Sequence, residues 1–277
     1  MSESEARRLD SFRDFVAIAA PLVVALVIVL VVFSKTSGET STANAGLANF
    51  DFVTPAVVSL VVIALVFQGM KRRPEQVARV VIAGIMISGT LSGLILLKIW
   101  FDSSSLFPAT FYLCAAPLGY LGIYLAVRSY FRPLSEKKTA LFLGVSTTFI
   151  GAIVGVSFPP LFTIFFLFAL SLLDILMIET DALRKLVGLG MYDTIVSIST
   201  VSLEQQVVGV GDLLAYSMLT VASIRSGSIY VAIATVILIL IGAFVTAKAS
   251  KSRLRMPGLP IPVFLGAAPY LIGLLIL

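Results

Sequence analysis

Nine stretches of about 20 apolar residues, the length a helix needs to cross the hydrocarbon core of a bilayer, dominate this chain: 15–34, 52–70, 78–98, 107–127, 139–158, 160–178, 207–224, 229–247 and 259–277. A chain built this way is expected to be an all-α membrane protein with nine transmembrane helices. Its composition agrees: 58% of residues are hydrophobic and 13% charged, against roughly 25% charged in an average soluble domain. The fifth and sixth runs are parted only at Phe158, Pro159 and Pro160, where proline cannot continue a helix. The first run carries the basic flank of a signal peptide (Arg7, Arg8, Arg13) and has an Ala-x-Ala-like stretch, Ala43 to Ala45, downstream. It is longer than the 7–15 residues typical of a signal peptide's apolar region, so it is expected to stay as a transmembrane helix.

Basic residues report orientation, because loops rich in lysine and arginine stay in the cytoplasm. With nine spans and an inside N-terminus, 17 of the 20 lysines and arginines fall on the cytoplasmic side, and only Lys35, Lys98 and Arg225 fall opposite. The N-terminus is therefore expected inside and the C-terminus outside. The net charge of +5 is carried by short clusters beside apolar runs, which are topology signals rather than a surface for nucleic acid. The longest cytoplasmic loop, 179–206, ends in "TIVSISTVSLEQQ", whose β-branched, partly alternating residues predict an extended segment just before span seven.

One cysteine and no histidine remove disulfide frameworks, HExxH zinc sites, Cys-His pairs and Ser-His-Asp triads. No metal or cofactor is expected. Chemistry is left to carboxylates, hydroxyls and lysines.

Of 15 acidic residues, only Asp174 and Asp212 lie within spans. An ionisable side chain inside a membrane segment is expensive and usually functional. At 1.5 Å per residue, Asp174 lies roughly 21 Å from the outer face along span six, and Asp212 roughly 7–8 Å along span seven from the inner one. In a core about 30 Å thick the two carboxylates match in depth on consecutive antiparallel helices. Two close carboxylates do not readily both ionise. A proton shared between them leaves one member as general base and the other as acid. The same pair could instead bind and release protons or sodium in a carrier, so the carboxylates alone leave protease and carrier open.

Two neighbouring features add to the pair. In "GVGD", Gly209 and Gly211 permit close backbone approach or a non-helical start to span seven. In "RMPGLPIPVFLG", Pro257, Pro260 and Pro262 are expected to keep the start of span nine from being regular helix, which is tolerated at membrane depth only beside protein or a watery cavity.

Together these residues resemble the presenilin and signal-peptide-peptidase family of intramembrane aspartyl proteases, which pairs a span-six aspartate with the aspartate of a GxGD motif in span seven, beside a Pro-Ala-Leu motif opening span nine. The GxGD is Gly209, Val210, Gly211 and Asp212, followed by Tyr216 and Ser217 as in the presenilin branch. Pro257, Leu259, Pro260, Ile261, Gly266 and Tyr270 stand at presenilin-like spacing, and "ALSLLD" and "LRKLV" resemble the segments at and after the first aspartate. Two positions depart from the pattern: Leu173 replaces a tyrosine and Gly258 replaces the alanine of Pro-Ala-Leu. A Tyr-Asp pair also stands at Tyr192 and Asp193, but it leaves too little chain before Asp212 for a spanning helix and its return.

The specific motifs cover the chain from about residue 169 onward. The resemblance implies a five-helix scaffold over 1–158 and a catalytic part over 159–277, with Asp174 and Asp212 catalytic. Substrate contact is expected at Gly209, Val210, Gly211, Pro257, Gly258 and Leu259. It implies single-span transmembrane substrates and a lipid environment in the cell membrane, allows a homo-oligomer, and is similar to a compact microbial homologue of archaeal type. A prepilin-type peptidase also carries GxGD, but the nine spans and the span-nine motif argue against it.

Overall fold

The computed structural model describes residues 72–102, 108–132, 135–180, 200–203, 206–226, 229–250 and 257–276, with isolated positions before residue 72. Seven helices and one hairpin make up these segments. In chain order they are α1 (Pro74–Asp102), α2 (Pro108–Phe131), α3 (Glu136–Ser157), α4 (Pro160–Glu179), β1 (Thr200–Leu203), β2 (Gln206–Gly209), α5 (Val210–Ser226), α6 (Ile229–Ser250) and α7 (Pro260–Ile276). They coincide with the third to ninth apolar runs. The first two runs lie outside the described residues except for scattered helical positions such as Val23 and Leu65. Five of the described helices are long and apolar enough to cross a membrane, which supports a membrane protein.

The helix that carries Asp212, α5, sits at the centre. It packs against α3, α4, α6 and α7, and every residue from Ala215 to Ile224 is buried. A helix buried all round belongs to the interior of a bundle. Its 17 residues make it about 26 Å long, short for a lipid-facing span but sufficient for one enclosed by protein. The expected helical start at residue 207 is corrected, because 206–209 is strand and α5 begins at Val210.

Packing relies on small residues, as membrane helices must when lipid removes the apolar driving force between them. On α3, a side chain at Gly151 would run into Ser217 and the Leu214 carbonyl, and one at Gly155 into Met218. Gly242 of α6 lies under Pro262 of α7 in the same way. Several buried hydroxyls are satisfied within their own helices, Thr220 donating to Tyr216 O at 2.9 Å, Ser223 to Leu219 O at 2.9 Å and Thr147 to Leu143 O at 2.6 Å, while Thr235 of α6 donates to Ser223 of α5 at 3.1 Å. By contrast α2 leaves Tyr112, Leu113, Tyr120 and Phe131 exposed, a face suited to lipid.

The extended segment predicted before α5 is present as a hairpin. β1 and β2 pair antiparallel, with Thr200 opposite Gly209 and Leu203 opposite Gln206, and β1 lies against α3. Residues 194–199, 204 and 205 of that prediction lie outside the described residues. The last run is also more regular than expected. Among the described residues of this stretch only Pro257 to Leu259 are non-helical, and Pro262 stands inside the first turn of α7. Proline is tolerated there because the first N–H groups of a helix have no intrahelical acceptor to lose.

Candidate active site

Asp212 is held by the turn from strand into helix. It lies in the first turn of α5, and its Oδ2 accepts the backbone N–H of Gly209, the last residue of β2, at 3.2 Å. The two glycines of the motif differ in what they permit. A Cβ at Gly209 would stand 2.9 Å from Asp212 Oδ2, whereas one at Gly211 would meet nothing. A side chain at Gly209 would thus press on the carboxylate where it folds back on the strand end, and Gly211 is exposed. Val210 packs at the edge of the core.

Asp174 lies near the C-terminal end of α4 and is half-buried. Its Oδ2 accepts the backbone N–H of Leu259 at 3.2 Å. Leu259 precedes Pro260, a position that disfavours helix, so it caps α7 from outside and its carbonyl accepts the first helical bond, from Val263 N, at 3.1 Å. Prolines at 260 and 262 have no N–H, so they reduce the number of orphan donors at this helix start. Of the two that remain, on Leu259 and Ile261, the Leu259 N–H is the one aimed at Asp174.

Gly258 joins the two carboxylates. A side chain there would collide with Oδ2 of Asp212, while the next residue's N–H reaches Asp174. Its carbonyl accepts the hydroxyl of Tyr216, on α5, at 3.3 Å. Pro257 is half-buried at the entry to this stretch. Each aspartate therefore lies against the same short piece of chain, and Asp174 acts electrostatically on Asp212. Five of the eight expected site residues converge here: Asp174, Asp212, Gly209, Gly258 and Leu259. Val210, Gly211 and Pro257 flank them. Leu173, where the pattern has tyrosine, is exposed, and Asp193 lies outside the described residues.

Tyr216 has a position in the site that the sequence reading missed, since there it served only as a marker of one family branch. The available signal was its phenol: a buried tyrosine normally finds a hydrogen-bond partner, and this one is 3% exposed.

No family model matches the chain, and no curated protein matches it. Among solved structures, one of a presenilin family intramembrane aspartate protease superposes with a TM-score of 0.59 at 17% identity, covering 95% of this chain and 99% of that one. The likeness extends over nearly the whole length of both chains, and it shows that this chain has the fold of a presenilin family intramembrane aspartate protease.

Proposed function

We propose that the protein is an intramembrane aspartyl endopeptidase that hydrolyses peptide bonds within transmembrane segments of other membrane proteins. The observation that carries this is the convergence of Asp174 and Asp212, from neighbouring helices, on Gly258 and Leu259. A carboxylate has about four lone-pair sites; Asp212 accepts from Gly209 N–H and Asp174 from the backbone at Leu259 and Gly258. Capacity is left for a water and a substrate carbonyl.

In this mechanism the ionised aspartate takes a proton from water, whose oxygen attacks the peptide carbonyl carbon. The protonated aspartate gives its proton to the carbonyl oxygen, forming a neutral tetrahedral diol. Collapse returns a proton to the amide nitrogen, the C–N bond breaks, and an acid and an amine leave. Base and acid are properties of the pair, which titrates as a unit.

A transmembrane substrate hides its peptide bonds in i to i+4 hydrogen bonds, so it must unwind before attack. β2, with one edge taken by β1, and the non-helical residues 257–259 supply backbone groups to which an unwound strand can add. Gly209, Val210, Gly211 and Pro257 belong to that contact. With nine spans and an inside N-terminus, as the loop charges favour, the site opens toward the cytoplasmic side and suits substrates whose N-terminus is outside.

The test is cleavage of a single-span substrate by the purified protein in lipid, beside Asp174→Asn and Asp212→Asn. Wild type is expected to cut and both variants to be inactive. Persistent cleavage by either variant would exclude the dyad. Ion flux that depends on both aspartates, with no cleavage, would identify a carrier.

A further inference from the structure

The phenol of Tyr216 and the carboxylate of Asp174 bond to opposite edges of one peptide unit. The Gly258 carbonyl accepts from Tyr216 at 3.3 Å, and the N–H of the same peptide, on Leu259, donates to Asp174 Oδ2 at 3.2 Å. A peptide is planar, so holding its oxygen also sets the direction of its N–H. We propose that Tyr216 is a positioning residue for Asp174, acting through the Gly258–Leu259 peptide; its catalytic consequence rests on the protease reading above.

Three features make the tether necessary here. Residues 257–259 belong to no helix or strand, so no ladder of backbone bonds orients this peptide. Glycine at 258 leaves the plane free to rotate, and a side chain there would have to move the Asp212 carboxylate. Tyr216 itself is fixed: its ring is buried in the central cluster with Leu213, Leu219 and Val263, on a helix enclosed by four others. The hydroxyl thus restores, from α5, the rigidity that Gly258 gives up. Donation to the carbonyl also polarises the peptide and strengthens its N–H as a donor.

The test is Tyr216→Phe in the full-length protein in lipid, which keeps the ring and removes one oxygen. One readout is amide exchange at Leu259, with Val263, whose N–H bonds Leu259 O at the start of α7, as internal reference. The other is kcat and KM on the single-span substrate. Leu259 is expected to exchange about tenfold faster while Val263 is unchanged, and kcat to fall about tenfold at constant KM, the scale of one net hydrogen bond. Unchanged Leu259 exchange overturns the tether, and faster exchange with unchanged kcat in a cleaving enzyme overturns the positioning role. If the phenylalanine variant does not fold, 3-fluorotyrosine at 216 serves instead. Its more acidic hydroxyl should slow Leu259 exchange, and no change would overturn the proposal. If wild type cuts no substrate but Leu259 still responds, the protease reading falls and the tether stands.

Discussion

The two ends of α5 each carry one ionisable residue, and they use it in opposite ways. At the C-terminal end Arg225 directs Nη1 at Val156 O (2.7 Å), Phe158 O (2.8 Å) and Gly155 O (3.4 Å). These carbonyls close α3, and the residues that would ordinarily cap them with N–H groups are Pro159 and Pro160, which have none. Arg225 supplies the missing donors, and its charge suits the negative end of a helix. At the N-terminal end Asp212 receives one N–H, at 3.2 Å, and faces a second carboxylate instead of a cation. A charge surrounded by partners holds a structure together. A charge with open lone pairs beside another acid is equipped for proton transfer.

That contrast predicts separable losses. The largest belongs to the acid end: Asp212→Asn or Asp174→Asn should lower cleavage at least about 100-fold, the range of general acid–base catalysis, while thermal unfolding in detergent stays cooperative. Next is Gly258→Ala, whose new methyl must displace the Asp212 carboxylate. Turnover is expected to fall about tenfold or more, with circular dichroism unchanged, and wild-type turnover would show that the carboxylate does not need its observed place. At the basic end, Arg225→Met should leave buried carbonyls without donors and cost about 1–3 kcal/mol, read as a lower unfolding midpoint. The cleavage rate per folded molecule should persist. Arg225→Lys is expected to recover part of this, since an ammonium lacks the flat fork of the guanidinium. The smallest effect is at Gly211, where a methyl meets open space. Gly211→Ala should stabilise α5 by roughly 0.5–1 kcal/mol, and any accompanying loss of cleavage would then measure substrate contact at that position.

Much of the fold was legible because membrane segments announce themselves in one dimension. The runs at 139–158, 160–178 and 229–247 appear as α3, α4 and α6 with ends moved by three residues or fewer, since length and hydropathy decide such helices almost alone. The aspartates were legible for the complementary reason that a carboxylate in an apolar run needs an explanation. Less visible was anything set by contacts distant in the chain. Nothing local to Tyr216 indicates an acceptor 42 residues away. Arg225 was counted as a minor loop charge, because its acceptors on α3 lie nearly 70 residues earlier. The β-rich stretch correctly suggested extended chain, but its pairing with Gln206–Gly209 depends on a register that composition does not specify. Pro262 was read as a helix breaker because interior proline usually is, while a proline in the first turn has no bond to break.

The sequence by itself determined that this chain is built of membrane-type apolar helices, where most of them run, and that two carboxylates stand inside apolar runs with no histidine or cysteine pair to share the chemistry. These follow from the cost of burying polar groups in lipid, which each segment meets on its own. Only the tertiary structure decided that both carboxylates meet at Gly258 and Leu259, that a tyrosine reaches the same peptide, and that an arginine completes the end of α3. Those choices depend on which backbone groups the packing of α3, α4, α5 and α7 leaves unpaired, and such groups can be counted only once the helices are assembled.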